Sequence, residues 1–134
     1  MPRYTLPREH KGEWAEIEFL SKAHARGFIV SRPWGQNAPY DFIVQRHRLL
    51  HRIQVKSVWS KHNGQYIIRM SRSDCSLYRP HDFEFLAAYV VPENAWYIIP
   101  IAAISKRPSV AFYPHVKRSR GLLEKYRERW HLLK

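Results

Sequence analysis

An α/β or α+β sandwich, a sheet with helices packed on it, is the architecture this sequence predicts. Three observations carry the prediction. An amphipathic stretch runs from His10 to Gly27. A strand-rich middle follows, from Phe28 to Tyr113. Near the end, Leu122, Leu123, Tyr126, Trp130 and Leu133 recur at helical spacing. The 134 residues have the length of one compact domain, and 45% apolar with 14% aromatic residues suffice to build its core. Residues 1–134 are therefore read as one domain. Residues 1–9 form a loose arm in which Pro2 and Pro7 oppose regular structure, and residues 115–134 form a basic segment and a helix.

The elements follow in order. On a helical wheel centred on Glu16, the residues Ile17, Phe19, Leu20 and Ala23 share one broad face, while Glu18, Ser21 and Lys22 fall elsewhere. Gly27 is a natural C-terminal stop. Phe28–Val30 starts a strand that ends near Pro33, and residues 34–39 are a turn-rich loop. Tyr40–Val44 and Leu50–Val58 read as two strands joined by a polar turn at Arg46–Leu49, hence a hairpin. Tyr66–Met70 is a third strand after the Asn63-Gly64 turn. Phe85–Val91 is almost continuously apolar, as expected of a central strand buried on both faces. Ala95–Ile99 follows across a Pro92-Glu93-Asn94 turn. Ile101–Ser105 suits a short helix, Val110–Tyr113 an edge strand, and Gly121–Lys134 an amphipathic helix.

Charge narrows the class of partner. Lys and Arg number 23 against 11 Asp and Glu, a formal net charge of +12, and the isoelectric point is near 10.2. Such an excess on a small body favours a polyanion, and nucleic acid is the commonest. A lone cysteine, Cys75, excludes an internal disulfide framework and speaks against a cysteine zinc site. No apolar run approaches the ~18 residues of a membrane span, and the start lacks an apolar signal core. The expectation is a soluble protein of the cytoplasm.

Four residues stand out chemically. Glu16 sits mid-face on the apolar side of the first helix, where a carboxylate is rare unless it is paired or holds a metal. The bland alternative is a helix-edge Glu reaching water or a Lys or Arg. Asp41 opens an otherwise apolar strand, a place also common for turn aspartates. In Ile53-Gln54-Val55-Lys56, alternation sends Gln54 and Lys56 to one face and Ile53 and Val55 to the other. A hairpin sets Asp41 near Gln54. Carboxylate and amide oxygens together suit a hard cation such as magnesium. Lys56 beside them can stabilise charge on an attacking hydroxide or on a phosphate transition state.

Those residues fall within a longer series: Lys11-Gly12-x-x-Ala15-Glu16, Gly27-Phe28-x-Val30-x-x-Pro33, Pro39-Tyr40-Asp41-Phe42 and Ile53-Gln54-Val55-Lys56, continued by Asp82-Phe83-x-Phe85-x-Ala87-x-Tyr89 and residues 96–101. The series resembles the PD-(D/E)xK nuclease superfamily, most of all its group I intron homing endonuclease branch, over residues 10–104. The resemblance implies a restriction-endonuclease-like α/β core, a mixed sheet flanked by helices. It also implies magnesium-dependent hydrolysis of double-stranded DNA by a homing-type or restriction-type endonuclease, working as a homo-oligomer, dimer or tetramer. Asp41 resembles the family's metal-binding Asp, Lys56 its catalytic Lys and Glu16 its supporting helix Glu. The backbone carbonyl of Val55 would be a further ligand. Gln54 stands where an acid is usual, in a branch that tolerates Gln. Asp82 also fits the pattern and is read as structural.

Basic residues crowd the same region. No acid lies between Asp41 and Asp74, where Arg46, Arg48, Arg52, Lys56, Lys61, Arg69 and Arg72 all fall. Lys117, Arg118 and Arg120 precede the last predicted helix, which adds Lys125, Arg127 and Arg129. Scattered Lys and Arg are ordinarily solvated surface. Here the charge excess and the nearby candidate site favour phosphate contact by Arg46, Arg48, Lys61, Arg69, Arg72, Lys117, Arg118 and Arg120. Trp59 and Tyr66 are read as core. The rival class is a DNA-binding module with an inactive nuclease site, favoured by Gln54. A small RNA-binding protein would match the isoelectric point, but leaves Glu16, Asp41 and Lys56 unexplained.

Overall fold

The structure is a computed structural model and describes residues 5–72, 74–117 and 121–134. Residues 1–4 of the arm at residues 1–9 lie outside them, and Arg8 and Glu9 belong to the first helix. That helix, α1, spans Arg8–Ala25 and follows Pro7. It closes with the N–H groups of Arg26 and Gly27 on the carbonyls of Ala23 and His24, and with Gly27 at φ 88°. This is the left-handed exit that glycine allows.

Seven strands follow: β1 (Ile29–Ser31), β2 (Phe42–Arg46), β3 (Leu49–Val58), β4 (Tyr66–Arg69), β5 (Phe85–Val90), β6 (Ala95–Pro100) and β7 (Ser109–Phe112). The main sheet has the order β1-β2-β3-β5-β6. β3 and β5 run parallel and every other pair is antiparallel. The expected hairpin is β2–β3, closed at the Arg46–Leu49 pair, with His47 at φ 56° in the turn.

Side-chain alternation divides the core in two. Ile53 and Val55 of β3, Ala87 and Tyr89 of β5, and Trp96 and Ile98 of β6 meet Ala15, Phe19 and Ala23 of α1. The intervening Val58, Leu86, Ala88, Val90, Tyr97 and Ile99 pack on the opposite side with Tyr66, Ile68, Val110 and Phe112. β5 is therefore buried on both faces, which explains its unbroken apolar run. The second layer is where the sequence reading stops short. β4 and β7 form a two-stranded sheet of their own, so the predicted edge strand pairs only with β4.

Two further expectations are corrected. The buried stripe of α1 is Ala15, Phe19 and Ala23, spaced i, i+4, i+8, with Trp14 stacked on Tyr89 at 5.9 Å. Ile17 and Leu20 are exposed, and Glu16 sits at the stripe's edge rather than its centre. Residues 121–134 contain no α-helix. They form short 3-10 turns at Glu124–Tyr126 and Trp130–Leu133. The reason is that Leu123 packs on one side of the sheet while Trp130 and Leu133 pack on the other. One straight helical stripe cannot reach both. The segment instead bends around the outer edge of β6 at Glu128 (φ 54°). There the Glu128 N–H donates to the Trp96 carbonyl at 2.7 Å, and its carboxylate accepts from the Trp96 N–H at 2.9 Å and the Trp130 indole at 2.8 Å. Among the described residues, no helix is long and apolar enough to cross a membrane.

Candidate active site

The site forms where β2 parts from β3. Their ladder ends at the Phe42–Ile53 pair. Beyond it, the Asp41 N–H still donates to the Ile53 carbonyl at 2.8 Å. The next N–H of β3, that of Val55, has lost its strand partner and donates to Asp41 Oδ2 at 2.8 Å instead. The carboxylate thus replaces a backbone acceptor, a charge-assisted bond that fixes its orientation. The strand-opening position of Asp41 in the sequence is the local cause.

α1 brings Glu16 to the same place. Its carboxyl lies within hydrogen-bonding reach of that of Asp41, and its Oε1 is 3.7 Å from Arg32 Nη2. Burial raises the Glu16 pKa from 4.5 to about 7. The charge and hydrogen bond of Asp41 add to this, and Arg32 opposes it. Burial also raises Asp41, against the pull of the Val55 N–H, Glu16 and Lys56. Two carboxylates forced together cannot both ionise freely, so one keeps its proton. Lys56 is mostly buried, and burial lowers its pKa while Asp41 opposes that. Its ammonium lies 5.5 Å from the centre of the Tyr78 ring. Gln54 shares a cleft of ≈ 400 Å³ with Asp41, Arg72 and Tyr78, and its side-chain amide is 3.5 Å from the Val55 carbonyl.

A stability consequence follows. Without metal, the folded chain keeps a proton on Glu16 that the unfolded chain releases near its ordinary pKa. The folded state therefore binds more protons, and stability falls as pH rises from about 4.5 to about 7. Glu16→Gln is expected to remove this slope, so that the variant melts higher than wild type at pH 7.5 and nearly level with it at pH 5. Melting curves of both proteins across that window check it, since histidine titration is common to both. Parallel profiles would contradict the protonation assigned to Glu16.

The structure thus brings Glu16, Asp41, Gln54 and Lys56 to one end of the β2–β3 hairpin. The basic residues divide. Arg72 lines the cleft of Asp41 and is 3.7 Å from the buried Asp82, whose carboxylate also caps the Arg79 N–H at 2.7 Å. Arg69 borders a shallow groove with Val55 and Lys56. Lys61 and Lys117 are exposed. Arg46 and Arg48 lie at the far end of the hairpin, about 17 Å along β2. Arg118 and Arg120 lie outside the described residues. Arg52 is neutralised: its guanidinium forks onto Glu84, with Nε at 2.8 Å from Oε2, and its N–H donates to Oε1 at 3.0 Å. Arg32 and Tyr78 are site residues that sequence reasoning missed. Neither stands in a periodic pattern, and both contacts arise only from the fold.

The groups here that could hold a cation are oxygen donors: the Asp41 carboxylate, the Gln54 amide oxygen and the Val55 backbone carbonyl. Among the described residues, no group of three or more His, Cys, Asp or Glu side chains is placed to hold a metal ion. A buried pair of carboxyls with raised pKa values is a pair in need of positive charge, which a hard divalent cation supplies.

A five-stranded mixed sheet, a helix carrying a glutamate and an aspartate–lysine pair on adjoining strands define a class of nuclease. The chain belongs to the PD-(D/E)XK endonuclease family, whose model matches residues 7–133, and it is an endonuclease. Its fold is similar to that of a bacterial homing endonuclease, I-Ssp6803I, with a TM-score of 0.82 and 31% identity, covering 95% of this chain and 93% of that one. No curated protein matches the sequence. Nucleases of this family generally use divalent metal ions.

Proposed function

We propose that this endonuclease hydrolyses phosphodiester bonds of double-stranded DNA with magnesium bound at Asp41. The observation that carries the reading is the Asp41–Glu16 carboxyl pair beside Lys56 and Gln54, at the mouth of a cleft that also holds Arg72. Asp41, Gln54 and the Val55 carbonyl would hold the cation, with solvent and substrate completing the shell, as magnesium prefers. Bound there, the cation neutralises phosphate charge and favours ionisation of an attacking water. Lys56 stabilises the negative charge that builds on phosphorus-bound oxygen. Glu16, beside Asp41, would accept a proton from the attacking water. The new P–O bond forms as the ester P–O bond breaks, and the departing alkoxide takes up a proton. Arg69 and Arg72 contact flanking phosphates, and Arg46, Arg48, Lys61 and Lys117 extend the basic surface. One such site cuts one strand, so cleavage of a duplex calls for a homo-oligomer. Its substrate places it with the DNA of the cytoplasm.

The test is incubation with plasmids carrying randomised inserts, followed by sequencing of new ends. New ends that require magnesium and vanish with chelator support the reading. No new ends at any magnesium concentration support the inactive-site alternative, which Gln54 favours.

Gln54 has its own expected effect. Gln54→Glu keeps the length of the side chain and adds a negative charge next to the cation. Half-maximal magnesium for cleavage is expected to fall, with turnover changed or reduced by repulsion of the phosphate. Magnesium titrations of both forms at fixed ionic strength check it. An unchanged midpoint means that Gln54 is not a ligand.

A further inference from the structure

Trp34 is fully exposed, at 104% relative accessibility, the highest among the exposed large apolar residues described. An isolated exposed Leu or Val is ordinary, but a large aromatic ring wholly in water is worth explaining. Its position is specific. Arg32, two residues before it, contacts Glu16 at 3.7 Å. Its chain neighbours Pro33 and Gly35 line a cleft of ≈ 230 Å³ together with Arg32, Tyr40 and Asp41. Gly35, at φ 97°, makes the turn behind it. Trp34 thus belongs to the loop that borders the cleft of Asp41.

From this geometry we infer that Trp34 stacks on a nucleobase that leaves the duplex stack beside the scissile phosphate. The inference rests on the proposed function and adds a residue to it. A tryptophan that anchors a protein–protein interface sits within a collar of packed apolar residues. The residues around Trp34 are small or polar: Gly35, Gln36 and Asn37, all exposed. Arg32, 68% exposed at its side chain, lies two residues away with its guanidinium over the Phe42 ring at 5.5 Å and toward Glu16. A bare aromatic face on the loop beside a phosphate-cleaving cleft suits a base turned out of the duplex stack. Stacking at the cleavage position would also set the register of the backbone against Asp41.

The test uses the full chain and a short mixed-sequence duplex, with calcium in place of magnesium so that binding is read without cutting. Stacking predicts that Trp34→Ala weakens affinity by roughly 5- to 150-fold, while Trp34→Phe stays within about threefold of wild type. It also predicts that duplex protects a fraction of wild-type tryptophan fluorescence from acrylamide, and that this fraction disappears in Trp34→Phe. Full exposure makes both variants foldable, and melting temperatures equal to wild type verify it. Unchanged affinity in Trp34→Ala, with acrylamide access undiminished by duplex, overturns the inference and leaves the nuclease reading intact. A change in sedimentation with unchanged affinity overturns it in favour of a contact between copies. Failure of wild type to bind duplex at all removes the nuclease reading itself.

Discussion

Asp41→Asn is expected to lower metal-dependent cleavage by roughly 10³-fold or more while leaving DNA affinity almost unchanged. The substitution isolates charge. The Asn side-chain oxygen can still accept the Val55 N–H bond, which in wild type measures 2.8 Å to Oδ2, so the local backbone has no reason to move. What disappears is the negative charge that attracts the cation, and charge stabilisation by a metal contributes several kcal/mol to such a reaction. Binding draws on many phosphate contacts and loses none of them. Asp41→Ala is expected to give the same loss of cutting with some loss of stability, because the Val55 N–H is then left without its acceptor. Initial rates in magnesium, set against duplex affinity in calcium, separate the two effects. A variant that cuts at the wild-type rate is incompatible with the proposed site.

Lys56→Met is expected to reduce cleavage by about 10²- to 10³-fold, the usual consequence of removing one preorganised charge from a transition state. Methionine keeps most of the apolar stem, so packing over Tyr78 is largely retained. The pH profile carries the distinctive evidence. Burial holds the Lys56 pKa below the ordinary lysine range, with Asp41 opposing. Its charged form is therefore lost earlier than usual as pH rises. The wild-type rate is expected to decline on the alkaline side below the normal lysine pKa, and the residual activity of Lys56→Met is expected to lack that limb. A purely structural lysine would lower stability and leave the limb in place. Rates measured from pH 6 to 10 on both proteins distinguish the two.

The parts of the fold that were readable in the sequence share a physical property: their signal is local. Alternation in Ile53-Gln54-Val55-Lys56 depends only on the pleat, and it puts Gln54 and Lys56 on one face whatever surrounds them. The β2–β3 hairpin is short-range. The apolar run of β5 needs only two covered faces. Other features depend on long-range partners. The terminal segment has apolar residues at helical spacing, yet Leu123 and Trp130 serve opposite sides of the sheet, and the chain bends at Glu128 to reach both. Pairing of β4 with β7 crosses about forty residues of sequence, and nothing in either strand names the other.

The candidate site divides in the same way. Asp41, Gln54 and Lys56 come together through the hairpin and were legible as neighbours. Glu16 drew attention as a carboxylate on an apolar face, although that face is rotated toward Ala15 and Phe19, and Glu16 marks its edge. Arg32 was not legible, because its contact with Glu16 joins β1's exit to α1 across the tertiary fold. Arg52 lies in the same acid-free stretch as several candidate phosphate contacts. Its partner, Glu84, lies 32 residues away and is brought in by the parallel β3–β5 pairing.

The central claim is that Asp41, Gln54 and the Val55 carbonyl converge on one cation, with Glu16 and Lys56 beside it. The most direct measurement is anomalous diffraction from crystals grown with manganese, a magnesium substitute that can be located unambiguously. The account predicts a single peak per chain at ~2.0–2.6 Å from Asp41 and the Val55 carbonyl, absent in crystals of Asp41→Asn. A peak elsewhere, or none at Asp41 under saturating manganese, would contradict it.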